Sequence, residues 1–196
     1  MTTVAVLPVK RFDAAKSRLG DEHDRPAIAA DMVERVLAAL CDAASLDRVL
    51  VVTGDEAAAG QARAAGAEVV GEPRPEGHSA AAALGVSRAL ELGADRVLLV
   101  PGDCPLLRAA DVDGLLGRHE GAGVVVVPDR HGTGTNALLL CPPRAIAPAF
   151  GPGSRERHVG LARAAGVPVA VDEVPALLLD VDTPDDLAAV REAQRA

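Results

Sequence analysis

Eight short apolar runs punctuate the chain, and Ala-rich stretches with helical spacing fill most of the gaps between them. The runs are VAVLPV (4–9), RVLVVT (48–53), AEVVG (67–71), RVLLV (96–100), GVVVV (123–127), NALLL (136–140), VPVAV (167–171) and ALLLD (176–180). Ile28, Met32, Val33, Val36, Leu37 and Leu40 recur at the three- and four-residue steps of one helix face. Several runs are apolar on consecutive residues, the pattern of strands covered on both faces by helices in a mostly parallel sheet. The expected fold class is therefore α/β, a mixed, mostly parallel sheet flanked by helices, in one domain over 1–196. Near the end, TPDDL (183–187) offers Thr183 as N-cap, Pro184 at the first helical position and acids in the first turn, predicting a last helix over about 184–194.

Composition removes several classes of function. With 49% hydrophobic residues among 196 the chain can bury a core of ordinary size, but aromatics make up only 1% and Trp and Tyr are absent. The core must be Ala, Val and Leu, and there is no aromatic platform for stacking bases. A net charge of -8 opposes general binding to a nucleic-acid backbone, so any phosphate site must be local. Cys41, Cys104 and Cys141 lack the close pairing of zinc sites and read as reduced thiols. The opening MTTVAVLPVK becomes charged before an apolar stretch reaches signal-peptide length, and no window approaches the ~18 apolar residues of a membrane span. The expectation is a cytoplasmic protein with small-molecule partners, without nucleic acid or membrane, whose Ala-rich helices could supply a homodimer face.

In α/β sheets of this kind ligands sit at the carboxyl ends of strands, near the point where strand order reverses. After the first strand comes VKRFDAAKSRL (9–19), which gathers Lys10, Arg11, Lys16 and Arg18 in an otherwise acidic chain. It is either a solvated basic loop or a triphosphate clamp, in which Arg engages two oxygens at once. It lacks the glycines of a Walker A loop, and no G-x-G-x-x-G follows the strand. After the fourth strand comes PGDCP, and near the end LLLDVDTPDD, so Asp103, Asp180 and Asp182 each follow an apolar run. Hard carboxylate ligands of this sort suit Mg²⁺, commonly held by one or two carboxylates plus substrate phosphates. In this reading Gly102 lets the backbone turn and Asp103 faces the cleft; the alternative is plain turn chemistry at each Asp, with Asp180 or Asp182 favouring the N-terminus of the final helix. DRHGTGTNALLL (129–140) and FGPGS (150–154) add Gly132, Gly134, Gly151 and Gly153, with the hydroxyls of Thr133, Thr135 and Ser154. Such a combination can bind an anion through backbone amides, or can form an ordinary hairpin and loop.

Taken in order, PVKRFDAAKSRL, PGDCPLL, GTGTNALL, FGPGS with RHVGLARAAG, and LLLDVDTPDDL resemble the guanylyltransferases of deazaflavin coenzyme biosynthesis, which join GMP to 2-phospho-L-lactate or phosphoenolpyruvate. The resemblance spans nearly the whole chain. It implies a GT-A-like nucleotidyltransferase fold of Rossmann-like character, with Mg²⁺ held by Asp103 and by one or both of Asp180 and Asp182. It also implies that the phosphoacid acceptor sits against Thr135, Gly151 and Ser154, and that the first loop wraps the GTP phosphates. There is one departure. Where the family usually has a Leu-Asn pair near the base and ribose, this chain reads PEGHSAAAALG (75–85), leaving Glu76, Gly77, His78 and Ser79 as nucleotide-binding candidates.

The chemistry agrees with what the resemblance implies. An acceptor phosphate is already ionised at neutral pH, so it can attack the α-phosphorus of GTP without a strong general base. Alignment and charge stabilisation by metal ions, Lys10, Lys16 and Arg18 would suffice. His158 either faces the acceptor or is a plain surface or capping residue. Rival readings are a molybdenum-cofactor or sugar-phosphate nucleotidyltransferase, a nucleotide-binding homologue without catalysis, and, weakest, a dinucleotide-cofactor binder.

Overall fold

The computed structural model describes residues 1–14, 24–74, 76–121 and 123–195. Seven of the eight apolar runs form one sheet: β1 (Thr3–Val9), β2 (Arg48–Thr53), β3 (Glu68–Gly71), β4 (Arg96–Leu99), β5 (Gly123–Pro128), β6 (Thr135–Cys141) and β7 (Val169–Val171). The strand order is β3-β2-β1-β4-β6-β5-β7. β6 alone runs against the others, pairing antiparallel with both β4 and β5. The order reverses between β1 and β4, which are parallel neighbours. The carboxyl ends of β1, β4 and β5 and the amino end of β6 therefore share one edge of the sheet.

Helices cover both faces, as the consecutive apolar residues require. They are α1 (Arg25–Cys41), α2 (Glu56–Ala64), α3 (His78–Glu91), α4 (Ala109–Arg118), α5 (Ser154–Ala164), the single turn α6 (Pro175–Leu178) and α7 (Pro184–Ala193). Alternation along β1 divides the core. Ala5, Leu7 and Val9 join the cluster with α1, α2, α4 and α6, whereas Val4 and Val6 join the cluster with α3 and α5. α3 approaches so closely that a Cβ on Gly85 would lie 2.2 Å from Val6 Cγ1. The small side chains of this sequence permit that approach. α7 closes a third cluster, with Leu187 and Val190 against Met32 and Val181.

One sequence expectation is corrected. The run 176–180 is not a strand: Pro175 opens the single turn α6, and among the described residues no strand pairing reaches 179–182. Its apolar side chains are drawn into separate clusters, Leu177 beneath the sheet and Leu179 against the α7 cluster, so they leave no continuous ladder. Gly102 does lie in a turn, as expected, without a left-handed φ. Its constraint is space, because a Cβ there would lie 2.9 Å from Val33 Cγ2 on α1.

Candidate active site

The backbone after β4 is bound to the segment that precedes α7. Val181 N donates to Asp103 O at 3.0 Å, which places the loop 101–104 beside residues 180–182 although they are far apart in sequence. As a result Asp103, Asp180 and Asp182, all half-buried, each offer a carboxylate oxygen within 4.8 Å of the others. Burial, and next the Asp103 charge, push the Asp180 carboxyl above its ordinary range. Three crowded acids, on the loop after β4 and the segment between α6 and α7, are a donor set suited to a hard divalent cation.

Side chains absent from the sequence-based candidates hold this cluster. Asn136, buried at the start of β6, donates from Nδ2 to Leu177 O at 2.6 Å and to Asp180 Oδ1 at 3.4 Å. Asp186 accepts from Asp182 N at 3.0 Å and from Thr183 N at 2.8 Å, while Thr183 Oγ1 accepts from Asp186 N at 3.3 Å. This reciprocal box caps α7. Asp186 and Thr183, rather than Asp180 or Asp182, are thus the acid and hydroxyl that serve the helix terminus. Arg130, between β5 and β6, donates to Asp186 Oδ1 at 2.5 Å. Burial opposes ionisation of Asp186, but Arg130, Thr183 and the amide of Asp182 outweigh it and hold the carboxyl well below the carboxylate range.

The acceptor candidates form a second group beside the first. Gly151 and Gly153 have φ of 113° and 71°, left-handed values that glycine tolerates best, and they turn the chain into α5. Ser154 opens that helix, is buried, and donates from its backbone N to Gly151 O at 3.0 Å. Arg155 N donates to Thr133 O at 3.2 Å, so the first turn of α5 sits on the loop before β6. One turn on, His158 is fully buried, with Nδ1 3.0 Å from Thr135 Oγ1 and Nε2 accepting from Ala149 N at 2.9 Å. Burial, then the charge of Arg157, lower its pKa to about 4. Thr135 and Asn136 are consecutive, so β6 serves the acceptor group with one residue and the carboxylate cluster with the next.

The nucleotide candidates lie on the other flank. Lys10 is exposed at the end of β1, and its charge reaches both Glu72 and His78. Arg11 pairs with Asp13 at 2.8 Å in an exposed contact. Lys16 and Arg18 lie outside the described residues. Gly77 is the N-cap of α3, Glu76 precedes it exposed, and Ser79 Oγ accepts from Phe150 N at 2.9 Å. Ser79 therefore clasps the FGPGS turn as well as lining the α3 terminus. Asp55, also absent from the candidates, accepts from Phe12 N at 2.9 Å and so fixes the start of the basic loop.

Sequence signals for the overlooked residues exist. Asn136 is a polar residue at the head of a buried run, where it requires a partner. His158, named from the sequence, lies four residues after Ser154 on the same helix face and is buried, not a surface residue. Asp186 lies three residues after Thr183, the spacing of a capping box.

Comparison with known proteins agrees with this arrangement. The family model described as guanylyl transferase CofC like matches residues 3–191. Phosphoenolpyruvate guanylyltransferase of Conexibacter woesei is 49% identical over 197 residues, covering 98% of this chain and 88% of the relative. That of Sphaerobacter thermophilus is 40% identical, covering 95% of this chain and 91% of the relative. Among solved structures, a nucleotidyl transferase from Methanothermobacter thermautotroptrophicus superposes with a TM-score of 0.69 at 19% identity, covering 98% of this chain and 97% of that one. The mixed sheet is therefore the nucleotidyltransferase fold, and the chain belongs to the guanylyl transferase CofC-like family of nucleotide-transferring enzymes.

Proposed function

We propose that this protein transfers GMP from GTP to the phosphate of phosphoenolpyruvate, releasing pyrophosphate, as a single-domain cytoplasmic enzyme of deazaflavin coenzyme biosynthesis. The observation that carries the reading is the convergence of Asp103, Asp180 and Asp182 immediately beside the Thr135 and Gly151–Ser154 group. One group is suited to a cation and the other to an anion, as a reaction between two phosphates demands. The names of the relatives support phosphoenolpyruvate over 2-phospho-L-lactate.

In this reading a phosphate oxygen of the acceptor forms a bond to the α-phosphorus of GTP, and the bond from that phosphorus to the bridging oxygen of the leaving pyrophosphate breaks. Asp103, Asp180 and Asp182 would hold Mg²⁺, which when bound offsets negative charge on phosphate oxygens. Thr135, Ser154 and the backbone at Gly151 hold the acceptor. Lys10, Lys16 and Arg18 hold the triphosphate and stabilise charge on the leaving group. Glu76, Gly77 and Ser79 border the nucleoside. The attacking oxygen is already ionised, so side chains here orient and compensate charge rather than remove a proton.

The test is pyrophosphate release measured with each of the four nucleoside triphosphates against phosphoenolpyruvate, 2-phospho-L-lactate and 3-phosphoglycerate. GTP with phosphoenolpyruvate should be the fastest pair. A clear preference for another base or acid would overturn the assignment.

A further inference from the structure

Among the described histidines His158 alone is wholly buried, and both of its ring nitrogens have partners. A backbone amide can only donate, so the bond from Ala149 N requires a lone pair on Nε2. The proton of the neutral ring is then on Nδ1, and it points to Thr135 Oγ1 at 3.0 Å. A threonine hydroxyl rotates and can offer either its proton or a lone pair. Once Thr135 Oγ1 accepts from the imidazole, its own proton is directed to another group.

We propose that His158 is a positioning residue for the phosphoacid: by donating from Nδ1 to Thr135 Oγ1 it commits that hydroxyl to donate to the anion. The inference rests on the assignment of Thr135 to the acceptor site. The surroundings suit the role. The Phe150 ring meets the imidazole edge-on, with centroids 5.2 Å apart, and His78 packs on Phe150 at 4.7 Å, so the imidazole lies in a lining of rings. Through Ala149 the same histidine fixes the chain entering the Gly151–Gly153 turn. Arg157 secures that turn independently, donating to Ala149 O at 2.7 Å and Pro152 O at 2.8 Å.

Two amide substitutions separate the two bonds of the ring. In His158→Asn the side-chain amide is placed to reproduce the Nδ1 donor and loses the contact to Ala149. In His158→Gln the longer side chain is placed to reproduce the Nε2 acceptor and loses the contact to Thr135. With intact Mg²⁺-supplemented enzyme, GTP and phosphoenolpyruvate, H158Q should raise the acceptor KM tenfold or more. The GTP KM should stay within about twofold, and H158N should recover most of the loss. A hydrogen bond to a charged group carries an effect of that size. Thermal melting of each variant reports folding separately. Combining H158Q with Thr135→Val should give an acceptor KM no worse than Thr135→Val alone. Equal KM increases in H158N and H158Q, a matching rise for GTP, or multiplying effects in the double variant would each overturn the proposal. If Thr135→Val alone leaves the acceptor KM unchanged, the acceptor assignment itself fails and this inference with it.

Discussion

Asp186 binds the carboxylate cluster to the body of the protein, and its replacement by alanine has a cost that the geometry defines. The residue is 3% exposed and accepts three hydrogen bonds, from Arg130 and from the amides of Asp182 and Thr183. Breaking a fully buried ion pair costs about 3–5 kcal/mol, but the Arg130 side chain is 36% exposed and regains water, so roughly 1–2 kcal/mol is the appropriate share. Loss of the helix cap adds about 1 kcal/mol. With the unsatisfied amide of Asp182 included, a total of about 3 kcal/mol results. Urea unfolding should show the midpoint falling with the slope unchanged. At about 2–4 °C per kcal/mol for a chain of this size, Tm should drop by roughly 6–12 °C. The sign with pH also follows. The folded carboxyl is held below its ordinary value of 3.8, so its stabilisation is present above that value and is lost as pH falls below it. Wild type and Asp186→Ala should converge in stability at such acid pH. A difference under about 0.5 kcal/mol at neutral pH would refute the view that this residue ties the segment down.

Asp103→Asn should nearly abolish turnover and remove the rise in Tm that Mg²⁺ gives the wild type; an unchanged Mg²⁺-induced rise would exclude Asp103 as a ligand. Asn136→Ala leaves Leu177 O with only the weak Cys104 thiol donor and frees Asp180 from its amide, so it should cost about 1–2 kcal/mol in urea unfolding. The same variant should weaken Mn²⁺ binding in calorimetry, and unaltered affinity would count against the clamp. His158 is buried with its pKa lowered from 6.5 to about 4, so the unfolded chain takes up its proton first. Its contribution to stability is present above 6.5 and is lost as pH falls toward 4, a change of roughly 3 kcal/mol at ~1.4 kcal/mol per tenfold change in proton affinity. His158→Asn should flatten that part of the stability-pH curve.

The fold was largely legible because its determinants are local and periodic. Consecutive buried residues in β1, β4 and β6 announce helices on both faces, and TPDD announces the start of α7. The run 176–180 misled because apolar content alone does not say whether side chains enter a ladder. Pro175 and the pull of Leu177 and Leu179 toward different clusters decided it. At the site, the residues that carry charge were legible, since Asp103, Asp180 and Asp182 each end an apolar run. Their supports were not, because Asn136 to Leu177 and Arg130 to Asp186 are contacts across 41 and 56 residues. Such partners follow from the strand order, in particular from β6 entering between β4 and β5. Ser79 shows the converse. Its position at the start of α3 made it a nucleotide candidate, and its oxygen also accepts from Phe150 N, a contact that a chain-local reading cannot anticipate.

The supports also explain how an acidic protein tolerates its own site. At separations within 4.8 Å, each pair of ionised carboxylates repels by about 3 kcal/mol at an effective dielectric near 20. Against this repulsion stand the backbone bond from Val181 to Asp103, the amide of Asn136, and the Arg130–Asp186 pair, whose guanidinium also lies in the field of Asp180 and Asp182. These hold the acids at a convergence they would not adopt unaided. In the proposed reading a divalent cation would offset that repulsion, so cation binding and stability would be linked. Loosening the clamp lets the acids separate, and weaker cation binding follows even where the remaining fold is intact. The residues proposed to bind and those that restrain are consequently separable by experiment: Asp103→Asn would remove a proposed ligand, whereas Asp186→Ala leaves all three acids in place and alters only how firmly they are held.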